Sequence, residues 1–173
     1  MRHQLVKSIS RGIFVLGIVA LPLAGCTMAN FGGSAFGGNK MQIAQLPDTG
    51  NYNTDSALTK ARDHFRSNEF GYSAAYYKKV VELSPKNPEG YVGLGASYDR
   101  LGRYDLSDRV YASLHKLSGG TAQYYNNVGY SHMLRGNLTS ALKNFRKAER
   151  LEPDNLVVAN NLQLLADIAD TRA

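Results

Sequence analysis

The side chains that could begin a reaction or hold a metal are few: His3, His64, His115, His132, Cys26 and neighbouring carboxylates such as Asp105 and Asp108. Paired histidines can ligate a divalent metal or act as a general base. Here, however, His64 and His132 occupy the same place in a recurring pattern, the place that Tyr98 fills between them. A position that accepts either imidazole or phenol is a packing position, so the two histidines are equivalent rather than convergent. His115 stands alone late on a helix, and Asp105 and Asp108 fall on an outer, solvated helix face. No serine, histidine and aspartate set has a nucleophile motif around it. Gly93-Leu94-Gly95 lacks the third glycine of a phosphate-binding loop and sits within a helical pattern. A single cysteine allows neither an internal disulfide nor a cysteine zinc cluster. The expectation is a protein that is not an enzyme, with no metal, no cofactor and no small-molecule substrate.

One charged cluster has regular spacing. Lys143, Arg146, Lys147 and Arg150 recur at helical intervals, with Lys78 and Lys79 in the equivalent region of an earlier segment. Such a stripe can lie on anionic headgroups or phosphates. It can equally be the solvated outer face of an amphipathic helix, the reading preferred here. No aromatics are interleaved to stack on bases, and no nucleic-acid partner is expected.

The elements that carry these residues form a series. From Gln123 to Pro153 the sequence reads as two amphipathic helices broken at Arg135-Gly136-Asn137. Tyr125, Val128, Gly129 and His132 make one buried face; Leu138, Ala141, Phe145, Ala148 and Leu151 make the other. The pattern recurs twice upstream with a period of about 34 residues. A small residue falls at Ala61, Gly95 and Gly129, and a turn residue at Asn68, Gly102 and Gly136. A second small residue falls at Ser73, Ser107 and Ala141, followed by an aromatic at Tyr77, Tyr111 and Phe145. Asn87 before Pro88 and Glu89, and Thr121 after Gly119-Gly120, are helix starts.

This pattern resembles the tetratricopeptide repeat (TPR), an all-α solenoid of helix-turn-helix units. The resemblance implies three repeats over 54–153 (54–86, 87–120 and 121–153), followed by a C-terminal capping helix in 154–173. In that family the concave face is lined mainly by the first helix of each repeat. The matching positions are Asp55, Leu58, Arg62, Phe65 and Arg66; then Glu89, Val92, Ala96, Asp99 and Arg100. Repeat three supplies Gln123, Asn126, Tyr130, Met133 and Leu134, and the cap supplies Val157, Asn160, Leu164, Asp167 and Ile168. Leu58, Gly93 and Gln123 stand where chaperone-binding relatives carry a carboxylate clamp, so that ligand is not expected. The expected partner groove comprises Phe65, Val92, Asn126, Tyr130, Met133, Leu134, Val157, Asn160, Leu164 and Ile168. Its far half is apolar with amides, suited to a docked helix or extended peptide. Val158, Leu162 and Leu165 are left to pack the cap on the stack.

The first part of the chain reads differently. Arg2, Lys7 and Arg11 precede a short apolar run, Ile13 to Leu21, which ends in Leu23-Ala24-Gly25-Cys26. A basic start, a short apolar core and small residues form a secretory signal peptide, here 1–25. The last four residues resemble the bacterial lipobox, which implies a lipid on Cys26. Thr27 after it resembles sorting to the outer membrane. Removing Arg2, Lys7 and Arg11 from the 20 Lys and Arg leaves 17 against 14 Asp and Glu, a net +3. Much of the basic character therefore belongs to the signal. Glycine, serine and asparagine at high density make 26–53 a lipidated flexible linker.

Taken together, lipobox, tether, repeats and the Asn126-Asn127-Val128-Gly129-Tyr130 text resemble the TPR lipoproteins of Flp/Tad pilus assembly, the TadD type. That resemblance implies an adaptor anchored in the outer membrane and facing the periplasm, whose partner is a secretin, a pilus component or another envelope protein. The alternatives are an envelope scaffold docking peptidoglycan hydrolases, or a non-catalytic subunit of a cell-wall or export complex.

Overall fold

A computed structural model describes residues 42–46 and 51–171. The expected signal peptide, Cys26 and most of the expected linker lie outside them. Within them the chain forms seven helices and no strand: α1 Thr54–Arg66, α2 Phe70–Leu83, α3 Pro88–Arg100, α4 Tyr104–Ser118, α5 Ala122–Leu134, α6 Leu138–Leu151 and α7 Leu156–Asp170. No helix among the described residues is long and apolar enough to cross a membrane.

The helix starts follow from local hydrogen bonding. The first helix of each pair, and α7, opens on a side-chain cap that satisfies backbone donors otherwise left free. Asn53 and Ser56 form a reciprocal capping box, and Asn87 accepts from the Glu89 N–H ahead of Pro88. Thr121 accepts from the Tyr124 N–H, and Asn155 from Val157 and Val158. The ends are equally regular. Asn68, Gly102 and Gly136 have φ of 59°, 66° and 78°, the left-handed turn at which these residue types incur least strain. In each turn the next N–H reaches back to one position: Glu69 to His64 O, Arg103 to Tyr98 O, and Asn137 to His132 O. The histidines and Tyr98 are thus the same structural residue, as their spacing predicts.

Pairing is sequential. Each helix packs on the next, and α1, α3, α5 and α7 also touch in series, forming one layer. Close approach within a pair requires the small residues. A Cβ at Gly95 would stand 2.5 Å from the Tyr111 ring, and one at Gly129 would stand 2.7 Å from Phe145. The core falls into three clusters. One runs from Ala57 through Tyr77 and Val80 to Tyr98 and Leu101. A second gathers Met133, Ala141, Phe145 and Leu165, and a third Ala122, Ala148 and Val158. Val158 and Leu165 dock α7, with Leu162 half-buried beside them.

The expected linker 26–53 needs correction at its described part. Residues 42–46 are extended along α2 and the Ala44 N–H donates to Gly71 O at 3.2 Å. Ile43 and Leu46 pack on the first core cluster. Gly71 makes the contact possible, because a Cβ there would stand 2.7 Å from Gln42 O. Two apolar side chains and a bare glycine backbone give this short stretch its seat. Tyr52 continues the attachment, edge-on to Tyr76 at 5.5 Å.

Candidate functional site

The layer formed by α1, α3, α5 and α7 carries the expected groove, and its character changes along its length. In the first half it is charged. Arg62 on α1 donates to Glu89 on α3 at 2.7 Å, a bridge from one repeat to the next. Both partners are well exposed, so the pair orients more than it stabilises. Phe65 is half-buried, edge-on to Phe70 at 5.3 Å, and the Arg100 guanidinium lies 4.1 Å from the same Phe70 ring. Val92 is half-buried.

The middle is a buried polar network. Asp99, 3% exposed, accepts from Tyr111 Oη at 2.9 Å and from Ser131 Oγ at 2.6 Å. Arg135 caps it: its guanidinium reaches Ser131 and makes two bonds to Asp108, at 3.0 and 2.8 Å. Burial raises the Asp99 pKa; the hydroxyls of Ser107, Ser131 and Tyr111, and then Arg135, pull it back. Burial also lifts Tyr111 well above the usual phenol range, with Asp99 adding to the shift. Asp99 is therefore a joint inside the stack and not a lining residue.

The far half is apolar with amides. Tyr130 and Leu134 on α5 are half-buried, while Val157 and Leu164 on α7 are 59% and 42% exposed. Asn160 is exposed, and Asn161 Nδ2 donates to Asn126 Oδ1 at 2.8 Å, joining the two helices. The neighbouring Asn127 Nδ2 is buried without a protein partner. Ile168 is half-buried against the second core cluster. Two expected lining residues turn inward. Met133, 2% exposed, packs with Ala141, Phe145 and Leu165, because α7 approaches α5 closely enough to cover it. Asn126 is 9% exposed, consumed by its bond to Asn161. Of the other expected residues here, Val157, Asn160 and Leu164 are exposed, and Tyr130, Leu134 and Ile168 are half-buried.

The histidines do not converge on a site. His64 bonds Glu69 at 2.6 Å and stacks on Tyr72 and Tyr76, each 5.2 Å away. His132 is half-buried near Arg135, and burial first, then that charge, lowers its pKa. Among the described residues no three His, Cys, Asp or Glu are grouped to hold a metal. The basic stripe is partly engaged: Arg146 pairs with Glu149 at 2.8 Å, and Lys147 lies 4.9 Å from the Tyr125 ring.

Comparison with known proteins agrees with this geometry. Residues 122–155 match the tetratricopeptide-repeat family. Solved TPR structures superpose over most of the chain. The Arabidopsis OM64 TPR domain does so with a TM-score of 0.58 at 16% identity, covering 66% of this chain and 94% of that one. The first TPR of Spaghetti (RPAP3), bound to the HSP90 peptide SRMEEVD, gives 0.56 at 20% identity over 68% and 96%. PcrH, in complex with the chaperone binding region of PopD, gives 0.58 at 14% identity over 75% and 100%. No curated protein matches the chain. The fold is a TPR solenoid of three hairpins closed by α7.

Proposed function

We propose that this protein is a membrane-anchored, non-catalytic adaptor that holds an apolar stretch of a protein partner in the far half of its groove. The observation that carries this reading is the exposure of Val157 and Leu164 beside Tyr130 and Leu134. A terminal helix needs one apolar face to dock, and Val158 and Leu165 already provide it. Further apolar side chains on a second face mark an interaction surface. Two of the structural relatives above hold a peptide or a partner segment, which supports a similar use here. The acidic HSP90 peptide of one relative is a poor guide to the ligand, because the far half presents apolar groups and amides rather than cations.

The anchor is the proposed lipid on Cys26, which places the groove on the periplasmic side of the outer membrane. Within that setting the best-supported role is in Flp/Tad pilus assembly, with a secretin or another pilus component as partner. Intact-mass measurement of the mature protein should find the lipid, and an unmodified Cys26 would remove the anchor from this proposal.

The groove itself is tested by Tyr130→Ala combined with Leu164→Asp. Loss of central aromatic and aliphatic anchors weakens such interfaces by about 2 kcal/mol or more. Capture of the candidate pilus secretin should therefore fall at least ~10-fold while the helical circular dichroism stays near wild type. Lys143→Glu with Lys147→Glu, on the outer face, should change capture far less. The opposite ranking would move the binding site to the basic face.

A further inference from the structure

Four apolar residues of the second hairpin tie it to the first. Tyr98, Leu101, Leu106 and Val110 share one apolar cluster with Phe70, Ala74 and Val80 of the preceding hairpin. One repeat along, the same positions hold His132, Arg135, Ser140 and Asn144. These polar residues bring no comparable apolar surface to α4. The second and third clusters draw all their members from α5, α6 and α7, and the first draws none from beyond α4.

Helix approach differs in the same sense. Gly93 lets α3 lie close against the Tyr77 ring of α2. The equivalent Asn127 carries a side chain, and its Nδ2 is buried without a hydrogen-bond partner, as is His132 Nδ1. α5 packs on α4 much more thinly than α3 packs on α2. Polar and ring contacts cross the junction: Ser131 to Asp99, Arg135 to Asp108, that guanidinium 4.8 Å from the Tyr104 ring, and His115 at 4.7 Å from Tyr124. The link between the two helices adds little restraint. Gly119 has a φ of 72°, and a Cβ there would meet nothing within 4 Å.

We propose that the α4–α5 junction is a hinge, about which α5, α6 and α7 turn as one body against the first two hairpins. Opening the first junction would wet apolar side chains, which folding resists. Opening the second exchanges hydrogen bonds between side chains for hydrogen bonds to water, a nearly balanced trade. The turning body holds together through its own packing: Met133, Phe145 and Leu165 in one cluster, and Ala122, Ala148 and Val158 in the other. Tyr130, Leu134, Val157 and Leu164 all ride on it, so the motion would carry the proposed partner surface as a unit relative to Arg62 and Glu89. That last consequence rests on the function proposed above; the hinge itself does not.

The test is pulsed electron paramagnetic resonance on the full chain, with spin labels carried by non-canonical residues so that Cys26 is untouched. Labels at Thr59 and Ala112 lie within the first two hairpins, and labels at Ala112 and Ala166 span the junction; all three positions are exposed. The spanning pair should give the broader distance distribution. Asp108→Asn, at an exposed carboxylate that holds Arg135, should broaden it further and leave the internal pair unchanged. His132→Tyr, Ser140→Leu and Asn144→Val together copy Tyr98, Leu106 and Val110, and should narrow it with unchanged helical circular dichroism. The hinge is overturned if both pairs are equally narrow in the wild type, if Asp108→Asn leaves the spanning pair unchanged, or if the folded triple variant stays as broad as the wild type. No partner enters these measurements, so the hinge and the proposed function fail separately.

Discussion

At the first repeat junction the Ser73 and Ser97 hydroxyls lie 2.9 Å apart, and their two protons are distributed among this contact, Ala61 O and Gly93 O. At the second junction, of the equivalent serines, Ser131 donates to Asp99 at 2.6 Å while Ser107 donates to Tyr104 O at 3.2 Å. Three positions separate the two arrangements: Phe65, Gly93 and Leu101 at the first become Asp99, Asn127 and Arg135 at the second. Where the first repeat has Phe65, packed on the apolar cluster, the second has an acid. The first junction is therefore apolar with neutral hydroxyls, sealed by the Tyr77 ring over Gly93. The second is a buried polar network centred on Asp99. Apolar packing is insensitive to pH and intolerant of added volume. A buried carboxylate held by hydroxyls instead makes stability depend on protonation and on every partner being present. The same repeat can thus be joined through apolar packing or through a polar network by changing a few side chains at equivalent positions.

The largest test of this contrast is steric. A Cβ at Gly93 would stand 2.2 Å from the buried Tyr77 ring. Gly93→Val should destabilise the protein by about 3 kcal/mol or more, read as a lowered denaturant midpoint. The matching position at the second junction is Asn127, which already carries a side chain. Asn127→Ala, which removes a buried donor that has no protein partner, should stay within about 1 kcal/mol. Equal losses at the two positions would erase the distinction.

A smaller effect concerns pH. Burial raises Asp99, so the native chain takes up that proton at a pH where the unfolded chain remains ionised. Stability from this group therefore rises as pH falls from its native value toward the ordinary carboxylate value. His132 acts oppositely: its lowered pKa means that stability is lost as pH falls from the ordinary imidazole value through the native one. Asp99→Asn should remove the first contribution and leave the second. Thermal midpoints of wild type and variant, measured from neutral to acidic pH, should show wild type gaining relative to the variant on acidification. Parallel curves would mean that Asp99 does not titrate within the folded range.

Much of the fold can be read along the sequence, because TPR helices pair with their neighbours and every unit repeats its own punctuation. Asn68, Gly102 and Gly136 mark turns, and Gly95 and Gly129 face the aromatics that require them to be small. The groove is less legible. A repeat position says which way a side chain points on an average helix, but not how closely the next helix approaches. Met133 and Asn126 were expected to line the groove and are covered by α7, and Asp99 was expected there and lies inside a junction. A signal for Asp99 did exist: an acid at the position of Phe65 and Met133, with Ser131 and Arg135 one repeat along. The packed stretch 42–46 had no such signal, since two apolar residues make no period; Gly71, far along the sequence, is its counterpart.

That packed stretch has a mechanical consequence. A pull on the chain from its N-terminal side meets residues 42–46 before it meets α1. Load passes through the Ala44 to Gly71 backbone bond and the seated Ile43 and Leu46 into α2. The helix behind them is held by the apolar first junction. Tension is thus taken up in the first hairpin, and neither the Asp99 network nor the exposed residues of α7 lie in its path.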